Sequence, residues 1–124
     1  MKDFTSGWTP LMRLASTSGN IEIARVLLQQ RADVNALDTT QKSVLMMAAL
    51  NGHTSLVKLL IEKGAKVDMT SAHNKTALDF ARSFDHRQII LLLEAKIKEL
   101  RKDPTKMNNA TPKRLYLKQR VNGV

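Results

Sequence analysis

Apolar residues recur along the chain in blocks whose spacing is that of a helix. In each block they stand three and four positions apart, which places their side chains on one stripe of a helix. The blocks consist of Ile21, Ile23, Val26 and Leu27, of Leu56, Val57, Leu59, Leu60 and Ile61, and of Ile89, Ile90, Leu91, Leu92 and Leu93. Clean alternation with a period of two is missing, so the pattern predicts helices and not a sandwich of strands.

A shorter helix is predicted before each block, and it begins with a hydroxyl residue. The hydroxyl residues are Thr9, Ser43 and Thr76, which lie 34 and 33 positions apart. A side-chain hydroxyl can accept a hydrogen bond from an N–H of the first helical turn, and Pro10 suits the first position of a helix. The sequence therefore predicts three copies of one helical unit.

The two helices of each unit are separated by a reversal of the chain at Gly19, at Gly52 or at the corner of Phe84 and Asp85. Such a helix pair cannot cover its own apolar stripe, but stacked copies bury it against one another. The predicted fold is therefore all-α, a solenoid of three stacked helix-turn-helix repeats. The predicted bounds are approximately 4–36, 37–69 and 70–102, in a repeat domain 1–102 that is followed by a flexible basic tail, 103–124.

The repeated motifs closely resemble the ankyrin repeat. The matching segments are Gly7-Trp8-Thr9-Pro10-Leu11, Ala32-Asp33-Val34-Asn35-Ala36, Ala48-Ala49-Leu50-Asn51-Gly52-His53 and Leu59-Leu60-Ile61-Glu62-Lys63-Gly64-Ala65. The resemblance covers roughly residues 4–97. It implies an ankyrin scaffold that acts in protein–protein recognition and binds a partner through its surface. It also implies no enzymatic activity, no metal site and no cofactor.

A narrower resemblance concerns the first and third repeats. The segments Gly7-Trp8-Thr9-Pro10-Leu11-Met12-Arg13, Ser18-Gly19-Asn20 and Ala81-Arg82-Ser83-Phe84-Asp85 are similar to the C-terminal repeats of fibronectin type III and ankyrin repeat domain proteins. Those proteins carry an N-terminal fibronectin domain and more ankyrin repeats upstream. A fragment, a truncated isoform and a divergent relative stay open as alternatives, and the resemblance favours a role in nuclear regulation.

Four residues stand where the ankyrin pattern has glycine. Gln41 and Asn74 share one turn position, and a left-handed backbone there costs more for Gln41 than for Asn74. Arg31 and Ile97 stand where glycine usually ends the second helix. Because nothing stops the helix at Ile97, the last helix is predicted to run on to about residue 102.

The ankyrin family binds partners through turn tips and through outward positions of the first helices, which form a concave face. Carried over by register, the tip positions are Thr5, Ser6, Trp8, Thr39, Thr40, Lys42, Ala72, His73 and Lys75, and the helix positions are Ser16, Thr17, Leu50, Asn51, Ser83 and Phe84. Trp8, Leu50 and Phe84 are large and apolar, as interface anchors often are. The alternative is that Trp8 packs on its neighbouring turn and that Phe84 fills the corner left by the absent glycine.

The first repeat has an exposed side in this scheme, since no polar capping repeat precedes Thr9. We expect further sequence, a partner or self-association to cover it.

Composition sets limits on the class of protein. Of the 124 residues, 43% are hydrophobic, which is enough for one core, and cysteine is absent, which excludes disulfides and thiolate metal sites. No segment approaches the roughly 20 apolar residues of a membrane span or resembles a secretory signal. These features predict a cytoplasmic or nuclear protein.

Candidate catalytic and metal-binding residues are sparse. His53 and His86 share one register position, where hydrogen bonding to loop backbone between repeats is expected, and His73 is expected at a solvated turn tip. No Gly-x-Ser-x-Gly motif or glycine-rich phosphate loop is present. The sequence therefore predicts no catalytic site.

The net charge of +9 is concentrated at the C-terminal end of the chain. From Lys96 to Val124 there are 9 basic and 2 acidic residues. The basic cluster of the tail contains Lys113, Arg114, Lys118 and Arg120. Such a cluster can be a nuclear address, contact nucleic acid phosphates, or only keep the chain in solution. A nucleic-acid-associated nuclear factor is therefore the alternative to a protein-binding module.

Overall fold

A computed structural model describes residues 7–102, which contain six α-helices. They are α1 (Pro10–Ala15), α2 (Ile21–Gln29), α3 (Val44–Leu50), α4 (Thr54–Glu62), α5 (Ala77–Ser83) and α6 (Arg87–Lys102). This range contains no extended strand, and Leu37 and Ser43 form one isolated antiparallel bridge. The predicted all-α arrangement of three helix pairs is confirmed.

The first helix of every pair begins with the same reciprocal cap. The hydroxyl of the capping residue accepts a hydrogen bond of 3.2 Å from the N–H three residues later, and that residue's side chain accepts one from the capping N–H. The pairs are Thr9 with Met12, Ser43 with Met46, and Thr76 with Asp79. Each hydroxyl cap stabilises its helix by about 1 kcal/mol. The predicted caps are confirmed.

The helix pairs stack in two layers. In the inner layer α3 packs between α1 and α5, and in the outer layer α4 packs between α2 and α6. The middle pair is therefore covered on both sides, and the first helix of that pair is the centre of the core. Its buried residues are Val44, Leu45, Met46, Met47, Ala48 and Ala49.

The turn positions that lack glycine keep the backbone that glycine would adopt. Gln41 and Asn74 have φ values of 62° and 65°, close to the 74° of Gly7 in the same register. Arg31 has a φ of 66° where Gly64 has 94°. A left-handed backbone costs a residue with a β-carbon roughly 1–2 kcal/mol, so the fold imposes these turns against local preference.

The last helix is much longer than its counterparts. The second helices α2 and α4 have 9 residues each, whereas α6 has 16 and continues through Ile97. The predicted extension of this helix is thus confirmed. The division into a domain 1–102 and a tail 103–124 stays a prediction, because the tail, like Thr5 and Ser6, lies outside the described residues.

Candidate partner-binding surface

The tip between the first two repeats is organised by the carboxylate of Asp38. Its Oδ1 accepts hydrogen bonds from the N–H and the hydroxyl of Thr40, both at 2.8 Å, and from the N–H of Lys42 at 2.9 Å. Its Oδ2 accepts one from Nε1 of Trp8 at 3.0 Å. One side chain therefore shapes the second tip and holds it against the first repeat.

The surroundings of Asp38 favour its charged form. Burial raises the pKa of this carboxyl, but hydrogen bonds from the N–H of Lys42, the hydroxyl of Thr40 and the indole of Trp8 lower it, and the net pKa is below its ordinary value. Asp38 is consequently ionised at neutral pH, when its hydrogen bonds are charge-assisted and strong.

The third tip is built in the same way around Ser71. The hydroxyl oxygen of this buried residue accepts hydrogen bonds from the N–H of His73 at 3.3 Å and from the N–H of Lys75 at 3.4 Å. The second and third tips are joined directly, because the N–H of Ala72 donates to the carbonyl of Thr40 at 3.0 Å. The three tips thus form one continuous hydrogen-bonded edge.

The predicted tip residues lie along this edge with different exposure. Lys42 and Trp8 are half-buried, while the others in the described range are exposed: Thr39, Thr40, Ala72, His73 and Lys75. The backbone of the edge is therefore fixed by its own hydrogen bonds while most of its side chains face solvent.

Several of the predicted first-helix positions are used within the stack. Nδ2 of Asn51 donates to the carbonyls of Ala15 at 3.3 Å and Met47 at 2.9 Å, which ties the second repeat to the first. The hydroxyl of Thr17 donates to the carbonyl of Arg13 at 2.8 Å. The other predicted helix positions are half-buried Ser16 and Leu50 and exposed Ser83 and Phe84.

The two aromatic candidates differ in their surroundings. Phe84 is 56% exposed, and its ring lies 6.3 Å from that of His86, with an interplanar angle of 19°. Trp8 packs against the core and gives its indole N–H to Asp38. Phe84 is therefore the more accessible of the two, whereas Trp8 is held in a fixed orientation.

The two histidines that share a register position both pack on a glycine of the preceding repeat. A β-carbon on Gly19 would lie 2.5 Å from the ring of His53, and one on Gly52 would lie 2.8 Å from the ring of His86. Nε2 of His86 lies 3.1 Å from the carbonyl oxygen of Leu50, as predicted. For His53 the prediction is wrong: its Nε2 is buried without a hydrogen-bond partner among the described residues.

Sequence reasoning missed Asp38 as the residue that organises the tips. An Asp that precedes a turn and can accept hydrogen bonds from N–H groups two and four residues later was the available signal. The sequence contains no signal for its hydrogen bond to Trp8, which is 30 positions away.

The part of the chain that the structure describes has no cluster of three or more side chains suited to hold a metal ion. No helix within it is long and apolar enough to cross a membrane. The basic-tail residues Lys113, Arg114, Lys118 and Arg120 lie outside the described residues.

The helix pairs are stacked, begin with the same cap and are joined at their tips. These features define a class of helical repeat protein. Residues 14–103 match the family model "Ankyrin repeats (3 copies)", so this chain belongs to the ankyrin-repeat family. Ankyrin repeats are generally protein-interaction modules and scaffolds without catalytic activity.

The similar curated proteins are considerably longer than this chain. Fibronectin type 3 and ankyrin repeat domains protein 1 of Homo sapiens is 47% identical over 45 residues, which are 36% of this chain and 13% of that protein. Fibronectin type 3 and ankyrin repeat domains 1 protein of Mus musculus is 44% identical over 45 residues, with the same shares. The chain thus matches about one eighth of the length of these relatives.

Proposed function

We propose that this chain binds a protein partner along the edge formed by its three tips and along the adjoining first-helix positions, within a regulatory assembly. The observation that carries the proposal is the combination of a fixed backbone and exposed side chains on that edge. Hydrogen bonds from Trp8 to Asp38 and from Ala72 to Thr40 hold the tips in place. A surface ordered before binding loses less conformational entropy when a partner docks.

Phe84 supports the same surface. A large aromatic side chain that is 56% exposed gains stabilisation when a partner covers it. It is the C-cap of α5, one of the first helices, about 12 Å along the helix from the tip that precedes Thr76. A partner that contacts the tips and extends along the first helices can therefore also reach an aromatic anchor.

The test compares two sets of variants of the full chain. The tip variant carries Thr39→Glu, Ala72→Glu and Phe84→Ala, and the control carries Ser55→Glu, Gln88→Glu and Leu91→Ala on the outer helices. All six positions are exposed, and both variants change the charge at the same number of sites. Proteins captured by the unmodified chain should be lost with the tip variant and retained with the control, as measured by affinity purification and mass spectrometry. Retention by the tip variant, or loss with both, would contradict the proposal.

Nucleic acid binding through the basic tail is the second candidate, and the charge distribution favours it, with 9 basic and 2 acidic residues from Lys96 to Val124. Binding to duplex nucleic acid should then weaken steeply with salt and vanish when residues 113–124 are deleted. Duplex binding that survives the deletion would exclude this role. A reducing compartment, cytoplasm or nucleus, suits a chain without cysteine and stays a prediction.

A further inference from the structure

One register position forms a row along the tips. Trp8, Lys42 and Lys75 are the residues directly before the helix caps Thr9, Ser43 and Thr76, so each repeat contributes one member. The two lysine side chains form no ion pair with the described residues. The row therefore presents one aromatic ring and two ammonium groups at the same height of successive repeats.

The carboxylates of this surface are directed to other donors. Asp38 accepts hydrogen bonds from Trp8, Thr40 and the backbone of Lys42. Oδ2 of Asp79 accepts from the N–H of Thr76 at 2.9 Å and from its hydroxyl at 3.1 Å. Both carboxylates thus serve the tip and the helix cap, and the ammonium groups of the row are available to a partner's carboxylates.

The geometry of the stack limits what such a partner can be. Packed helices lie about 8–10 Å apart, so equivalent side chains of successive repeats have about the same spacing. A polyproline II segment has three residues per turn and rises about 3.1 Å per residue, so side chains three residues apart lie on one face, about 9 Å from each other. Carboxylates at positions i and i+3 of a segment in this conformation would therefore match Lys42 and Lys75. The segment's next register position, a further three residues along, would lie at Trp8.

Trp8 adds an apolar end to the row. Its indole N–H is taken by Asp38, so the part of the ring that stays accessible offers apolar surface in a fixed orientation. Rigid aromatic surfaces of this kind bind apolar side chains at little entropic cost.

We propose that the row of Trp8, Lys42 and Lys75 binds an acidic segment of the partner in polyproline II conformation. This segment carries two carboxylates three residues apart and an apolar side chain three residues beyond them. The inference rests on the proposed function, because it assigns a chemistry to the partner of the same surface.

The probes are fluorescein-labelled peptides in a Ser/Thr background, titrated against the full chain by fluorescence anisotropy. One has the order Leu-x-x-Glu-x-x-Glu, and a second has the same composition with adjacent Glu residues. The spaced peptide should bind roughly two- to fivefold more tightly than the permuted one, because only it reaches both lysines.

Charge-reversal variants test whether the row itself is the site. Lys42→Glu with Lys75→Glu should weaken binding of the spaced peptide by at least about tenfold and remove its preference over the permuted peptide. The matched control is Lys58→Glu with Lys63→Glu, two exposed lysines of the outer helix layer, which changes the net charge equally. The control should keep the preference. Equal weakening by both variants would show attraction by net charge alone and would overturn the inference.

The two proposals fail in distinguishable ways. If the tip variant loses the captured proteins but the spaced peptide binds no better than the permuted one, the acidic-segment inference is wrong and the binding surface stands. If the captured proteins are also retained by the tip variant, both are wrong.

Discussion

The two ends of the stack differ at equivalent positions, although their helices follow one pattern. Ile23 and Val26 of α2 are 49% and 50% exposed, whereas Leu56 and Leu59, their equivalents in α4, are 0% and 3% exposed. The difference arises because α2 packs on α4, while the described residues contain no helix pair on the other side of α2. The expectation that the first repeat exposes an apolar side is thus confirmed.

The third repeat covers its outer side differently. NH2 of Arg82 and Oε2 of Glu94 form an ion pair of 2.8 Å between α5 and α6. In the middle repeat the same positions are occupied by Ala49, which is buried, and by Ile61, which packs against the core. Leu91 is an exception on this side, since it is 66% exposed. The position of a residue within its repeat thus determines where its side chain points. Whether a neighbouring repeat covers that side chain determines whether an apolar or a charged residue suits the position.

The largest effect should come from one truncation at equivalent positions of α4 and α2. Leu56→Ala should lower the free energy of unfolding by about 2–5 kcal/mol, because it opens a cavity in the core. Ile23→Ala should cost less than about 1.5 kcal/mol, because the side chain is 49% exposed. Urea unfolding at micromolar protein measures both. Equal losses would mean that Ile23 is covered in solution.

Asp38 should matter less than the core and should do so in a pH-dependent manner. Asp38→Ala should cost about 1–2 kcal/mol at pH 7, because it removes charge-assisted hydrogen bonds from a partly exposed carboxylate. The folded pKa is lowered, so the contribution is complete above the ordinary carboxyl pKa of about 3.9 and is lost as the pH falls through the folded value. Denaturant unfolding from pH 7 to pH 3 should show the variant and the unmodified chain converging. A constant difference would assign the effect to packing.

Substitution by glycine should change the stability of the fold in opposite directions at the two ends of the stack. Arg31→Gly should stabilise the fold by about 1 kcal/mol, since Arg31 has a φ of 66°. Ile97→Gly at the equivalent position should destabilise it by about 1 kcal/mol or more, since Ile97 lies inside α6 and packs against the core. Thermal unfolding of the two variants measures the contrast, and the same sign for both would contradict it.

The ion pair should contribute least to stability but should control association. Arg82→Ala with Glu94→Ile gives the third repeat the residues of the middle one; stability should change by less than about 1 kcal/mol, because surface ion pairs contribute little. Association that depends on concentration should increase, as apolar surface is exposed. Sedimentation velocity should show the increase, and Ile23→Lys with Val26→Glu should lower any association of the parent chain. An unchanged sedimentation coefficient in both cases would argue against the interpretation that apolar surface at an end of the stack drives association.

The sequence predicted the features that depend on neighbours along the chain. The caps at Thr9, Ser43 and Thr76, and the continuation of α6 through Ile97, are set by residues within one turn. Contacts between repeats were less accessible to prediction. Asn51 reaches the carbonyl of Ala15 across 36 positions, and no local pattern signals such a bond.

The candidate binding surface likewise has features that the sequence predicted and features that it could not predict. The register alone placed Lys75 at a tip, and that position is exposed. It could not show that Asp38 fixes Trp8, because that depends on how two turns meet in space. The binding role of these residues stays a prediction.

The bonded edge of the tips has a consequence for how such a surface changes over evolutionary time. Its shape depends on the carbonyl of Thr40, the N–H of Ala72 and the carboxylate of Asp38, and not on the outward side chains of Thr39 or His73. Mutations at the latter two sites can accumulate without remodelling the loops that display them. Substitutions at these sites can therefore change the chemistry of the exposed edge one residue at a time while its frame stays unaltered.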